Sequence, residues 1–199
     1  LHPFSRSQTF SVFDENELML PTGSDFQQDY FSLFNFPARF QIDITLLEQN
    51  YRALQAQVHP DKFAHLPESE RRVSMQWATR VNEAYQTLRK PIDRARYLLA
   101  LRGVETQEET NTAMPVDFLM QQMEWREAIE EALQAKDSAV LDELQSKLQQ
   151  DVRALQQQLA QLIDSEQDYL SAAGIVRKLK FFEKLAEEIA SAFDELDVL

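Results

Sequence analysis

His59, Pro60 and Asp61 are consecutive, and each limits what the other two can do. An ionised aspartate only accepts hydrogen bonds, and its two oxygens suit the forked donors of an arginine. His59 has the chemistry of a general base, but no serine, cysteine or second acid adjoins it to complete a catalytic site. Pro60 lacks an amide hydrogen and disfavours helical geometry in the residue before it, so a helix arriving there must stop near His59. His59 and Asp61 are thereby held extended and exposed, suited to gripping a partner rather than to turning over a substrate. A purely local reading of the same residues is a histidine capping a helix end and an aspartate in an Asx-turn.

Little else in the chain offers chemistry. There is no cysteine, so disulfides and thiolate ligands for zinc or an iron–sulfur cluster are excluded, and an intracellular home is the easier reading. His2, His59 and His65 are too few and too badly spaced for a zinc site. No glycine-rich phosphate loop is present. The expectation is therefore no catalytic residue, no metal and no cofactor. The net charge of −13 is uneven: residues 29–102 hold 11 Lys and Arg against 8 Asp and Glu, residues 115–199 hold 8 against 18. So acidic a chain is repelled by phosphate backbones, which argues against nucleic acid, and the change of sign suggests two modules. No apolar run approaches the roughly 20 residues that span a bilayer, so no membrane partner is expected.

A second constellation lies near residue 120. On a helix of about 115–135, Phe118, Trp125, Ile129 and Leu133 form one stripe, while Met120, Glu124, Glu127 and Glu131 fall on a different face with Leu119 and Met123 beside it. Acids topped by flexible methionine and leucine make an adaptable binding surface. The plainer alternative puts Met120 and Met123 in a core and the glutamates on a solvated face. Phe181 stands one residue out of the stripe that holds Leu179 and Phe182, about 200° from Leu179, and so is expected off the buried line.

These residues need helices to position them. Asp29-Tyr30-Phe31-Ser32-Leu33-Phe34 reads as a short capped helix. Asp43 and Thr45 are possible N-caps, with Thr45 and Glu48 spaced as a capping box. Leu47, Tyr51, Leu54 and Val58 then mark a helix face. A second long helix runs from about Glu68 to Arg89 on Val73, Trp77, Val81, Ala84, Tyr85 and Leu88. Pro91 suits a first helical position, and the helix through Tyr97, Leu98 and Leu101 stops at Gly103. Beyond a polar connector come helices of about 115–135, 138–163 and 168–196. The second carries leucines from Leu141 to Leu162; the third carries Ile175, Leu179, Phe182, Ala186, Ile189, Phe193 and Leu196. Heptad-like stripes with short breaks argue for an antiparallel bundle, although one seam alone could be a coiled coil.

With a capped amphipathic helix before it and Asn82-x-Ala84-Tyr85-x-x-Leu88 after it, the tripeptide resembles that of a J domain, the module that stimulates DnaK-like chaperones. The closer resemblance is to the HscB (Jac) co-chaperones of iron–sulfur cluster assembly. It rests on the Asp29–Phe34 segment, His59-Pro60-Asp61-Lys62-Phe63, Asn82–Leu88, Arg96-Tyr97-Leu98-Leu99 and Val176-Arg177-Lys178-Leu179-Lys180-Phe181, and it covers residues 29–199.

Residues 1–28, rich in Pro, Ser, Thr and Gln and without a sustained period, read as a leader or tag expected to be poorly ordered. The resemblance implies an all-α protein: a J domain over 29–102, a connector over 103–114 and a three-helix bundle over 115–199. It implies docking on an HscA-type DnaK-like chaperone through His59, Pro60, Asp61, Lys62 and Arg52. It also implies binding of an IscU-type cluster scaffold through Leu119, Met120, Met123, Glu124, Glu127, Glu131 and Phe181. The chain would activate its partner's ATPase and be no enzyme itself, in a bacterial cytoplasm, or the mitochondrial matrix if eukaryotic. One departure stands out. Residues 46–58 hold a single cation, Arg52, with Asn50 and Ala56 where the family carries more positive charge, so docking should depend only shallowly on salt. Two other readings are a general J-protein for unfolded clients and a structural coiled coil in which the tripeptide is incidental.

Overall fold

A computed structural model describes residues 25–65, 67–107 and 115–198. Among these the regular structure is helical throughout: α1 (Tyr30–Leu33), α2 (Ile44–Val58), α3 (Glu68–Arg89), α4 (Pro91–Leu101), α5 (Val116–Ala135), α6 (Ser138–Ala160) and α7 (Tyr169–Val198). Among the described residues no helix is long and apolar enough to cross a membrane. The chain divides into two compact units between Arg94 and Ala95, inside α4.

In the first unit α2 and α3 form a hairpin whose facing stripes are buried: Leu47, Leu54 and Val58 against Trp77, Val81, Ala84 and Leu88. Asp29 caps α1, its Oδ1 accepting from the amides of Phe31 and Ser32 at 2.9 and 3.0 Å. Asp43 caps α2 in the same way, accepting from Thr45 and Leu46. The expected Thr45–Glu48 box therefore does not form, because Glu48 pairs instead with Arg52 one turn on. The expected leader also ends earlier than residue 28. Asp25–Gln27 makes a 3-10 turn, the Phe26 ring lies 4.2 Å from that of Trp77, and the carbonyl of Gln28 accepts from Arg80. Residues 1–24 and 108–114, which include most of that leader and of the connector, lie outside the described residues.

Pro91 opens α4, as its missing amide allows. The helix closes on Gly103, whose φ of +74° no side chain need strain to reach; its amide donates to Ala100 and that of Val104 to Leu99. The buried hydrophobic residues of α4 are Ile92, Ala95, Leu98 and Leu99, whereas Leu101 is exposed.

In the second unit α5, α6 and α7 pack on one another around Phe118, Trp125, Ile129, Leu141, Leu148, Phe182, Leu185 and Ile189. Lys136, at φ +55°, turns the chain, and Asp137 caps α6 through the amides of Ala139 and Val140. At the far end Gln161–Glu166 widens into a π-turn, Gln167 takes a positive φ, and Asp168 starts α7. The seam thus folds back on itself, which excludes the single long rod. The α7 stripe differs from expectation: Leu185 is buried and Ala186 exposed, and Val176 and Ala192 are buried where Ile175 and Phe193 are half-buried.

Candidate docking surfaces

His59 ends α2 in extended geometry, φ −60° and ψ 127°, as the following proline requires. Pro60–Phe63 then forms a 3-10 turn in which the Lys62 amide donates to the His59 carbonyl at 3.0 Å. The local capping reading holds in part: Nδ1 of His59 accepts from the Asp61 amide at 3.3 Å. The Asp61 carboxylate, 3.6 Å from the same Nδ1, can pair with it only if the ring is protonated and the amide contact given up. Asp61 makes no side-chain hydrogen bond among the described residues, and its side chain is 90% exposed. No Asx-turn is made among the described residues.

Two supports of this loop carry no signal in the tripeptide. The Ser74 hydroxyl on α3 donates to the Val58 carbonyl at 2.9 Å, in a buried position. Pro60 breaks the helix just where that carbonyl would need a partner, so α3 supplies one. Further along the hairpin the Tyr51 hydroxyl donates to Oδ1 of Asn82 at 2.8 Å, and its ring stacks on Tyr85 at 4.0 Å. Asn82 and Tyr85 were visible as a pattern; their structural task is to lock α2 against α3.

Lys62 is exposed beside the loop. Arg52 lies seven residues before His59, about two helical turns. Its guanidinium is engaged by Glu48 at 2.5 Å, so its charge is offset on its own helix.

On α5 all six expected residues are on the surface. Leu119, Met120 and Met123 are exposed at 42, 56 and 71%, and Glu124, Glu127 and Glu131 are exposed with them. Together they span a sector of about 140° directly opposite Phe118, Trp125 and Ile129. The alternative that puts the methionines in the core does not hold. Phe181 departs from expectation. It is half-buried at the core's edge, 5.5 Å from Phe118 and 5.6 Å from Phe182, with the Arg126 guanidinium 5.3 Å over its ring. The cause is the shifted α7 seam: Phe181 is only about 40° of turn from Leu185, so burying Leu185 draws it inward.

No group of three or more His, Cys, Asp or Glu that could hold a metal ion exists among the described residues. His59 and Asp61, exposed at the end of a helical hairpin, with a three-helix bundle following in the chain, give the architecture of a J domain joined to a C-terminal helical bundle. The family described as the HSCB C-terminal oligomerisation domain matches residues 114–190. A co-chaperone protein HscB homolog of Azoarcus sp. (strain BH72) is 54% identical over 173 residues, 87% of this chain and 98% of that relative. Chaperone HscB from Vibrio cholerae superposes with a TM-score of 0.74 at 41% identity, over 85% of this chain and 99% of that one. Human co-chaperone protein HscB does so with a TM-score of 0.81 at 30% identity, over 95% and 93%. The chain belongs to the HscB co-chaperone family.

Proposed function

We propose that this protein docks on an HscA-type DnaK-like chaperone through His59, Pro60, Asp61 and Lys62, stimulates its ATP hydrolysis, and delivers to it an IscU-type cluster scaffold held on the exposed face of α5. The observation that carries the reading is the Asp61 carboxylate, exposed beside a histidine that braces its backbone. Such a carboxylate can take a guanidinium in a two-bond fork at little entropic cost, since the 3-10 turn already holds its backbone. In this reading the unit ending at Arg94 is the activating module and the α5–α7 bundle the cargo module. The chain handles the cluster's carrier and does no chemistry of its own. The bacterial relatives favour a bacterial cytoplasm.

The test is steady-state ATP hydrolysis by the chaperone with this protein, with and without the scaffold. Stimulation that rises further with scaffold, and that His59→Gln abolishes, is expected. Equal stimulation by wild type and His59→Gln would overturn the docking role. Stimulation indifferent to scaffold but increased by unfolded polypeptide would point to a general client adaptor.

A further inference from the structure

Met75 sits at the centre of the solvent face of α3, about 160° around the helix from the buried Trp77. A single exposed methionine is ordinary. What sets this one apart is the ground around it. One hollow, lined by Asp61, Ala64, Glu68, Arg71, Arg72 and Met75, runs from the tripeptide directly onto α3. A second hollow flanks Met75 on its other side, between Phe26 and Thr79.

The charges around the first hollow are not equivalent. Arg72 is held by Glu68 at 2.6 Å, as Arg52 is held by Glu48 on α2. Arg71 makes no ion pair among the described residues and is exposed. Among the described residues the cations beside Asp61 that make no ion pair are therefore Lys62 and Arg71, and the second comes from α3. The positive charge missing from α2 is supplied across the hairpin.

We infer that the chaperone-docking surface continues from Asp61 across this hollow onto α3, where Arg71 receives a carboxylate of the chaperone and Met75 an apolar side chain next to it. The inference rests on the docking role proposed above for the tripeptide and extends it. The occupant is thus a chaperone surface of mixed sign: a guanidinium for Asp61, an acid for Arg71, and an apolar group beside that acid for Met75. A guanidinium matches a carboxylate with two donors, and a thioether adapts its rotamers to whatever apolar group it meets. Glu68, already on Arg72, closes the far side against a second acid.

The experiment compares wild type, Arg71→Glu, Met75→Asp, Arg52→Ala and His59→Gln for binding to the HscA-type chaperone at low and moderate salt, and for stimulated ATP hydrolysis. All but His59→Gln change exposed helix positions, and circular dichroism melts should match wild type. Arg71→Glu and Met75→Asp should each weaken Kd by about tenfold. Arg71→Glu should also flatten the salt dependence, whereas Arg52→Ala should stay within about twofold of wild type. If Arg71→Glu and Met75→Asp bind within about twofold of wild type while His59→Gln abolishes stimulation, the surface ends at the loop and the inference is overturned, with the docking role intact. If His59→Gln stimulates as well as wild type, the docking role fails and the inference falls with it.

Discussion

The Ser74 hydroxyl donates to the Val58 carbonyl at 2.9 Å, one residue before the histidine of the docking tripeptide. Both groups are buried, so truncating the serine leaves an acceptor with neither protein nor water to meet it. Ser74→Ala should cost about 1–3 kcal/mol of stability, the usual penalty for stranding a buried polar group. It should also loosen the geometry of His59 and lower stimulation of the chaperone at sub-saturating protein. Urea unfolding and ATPase titration read the two effects separately. An unchanged urea midpoint would show that the bond contributes nothing.

Tyr51 and Asn82 join the hairpin on its exposed side, through a 2.8 Å bond and the Tyr51–Tyr85 stack. Tyr51→Phe keeps the stack and removes only the hydroxyl, so its loss should be about 0.5–1.5 kcal/mol. Asn82→Ala should cost a similar amount, and the double variant should cost less than the sum, because both remove one bond. Additive losses in a chemical-denaturation cycle would mean the two residues act independently.

The helices were legible because their stripes are long and their caps are chemically explicit. Asp29, Asp43 and Asp137 each cap the helix that follows. What could not be read depended on choices between equivalent local options. Glu48 had two partners available, Thr45's helix end and Arg52, and the guanidinium won. On α7 both Leu185 and Ala186 continue the period from Phe182, by steps of three and four, and only packing selects Leu185. That choice also decides Phe181, which is why its exposure was misjudged. Ser74 gave no signal at all, since a small polar residue on a buried face is read as noise until its acceptor is known. The α5 face was the opposite case: its methionines and glutamates stand clear of the core as their spacing required.

Phe181 and the α5 methionines should therefore separate in experiment. The Phe181 ring contacts Phe118 and Phe182, and truncation to alanine should cost roughly 1–3 kcal/mol, below the 3–5 typical of a fully buried phenylalanine. The Met120→Ala, Met123→Ala double variant should stay within about 0.5 kcal/mol of wild type in melting, because both side chains are on the surface. If this face holds the scaffold, that same variant should weaken scaffold binding by about tenfold. Calorimetric titration with purified scaffold provides the check; unchanged affinity would move the cargo site off α5.

The turn between α6 and α7 should respond to acid. Asp168 accepts from the Ser171 hydroxyl at 2.6 Å and from the Ser171 amide at 3.0 Å. Those two bonds hold its carboxyl below the ordinary carboxylate range, the hydroxyl contributing most, with desolvation opposing them and the Leu170 backbone adding to them. Protonation therefore comes harder in the folded chain than in the unfolded one. The resulting stability is fully present above the ordinary carboxylate range and is lost as pH falls through the lowered folded value. Asp168→Ala, which removes the cap, should lower the melting temperature at neutral pH. The gap between variant and wild type should narrow in strongly acidic buffer. Melting curves across that range are the measurement, and a gap of constant size would show that the carboxylate's charge is irrelevant to the turn.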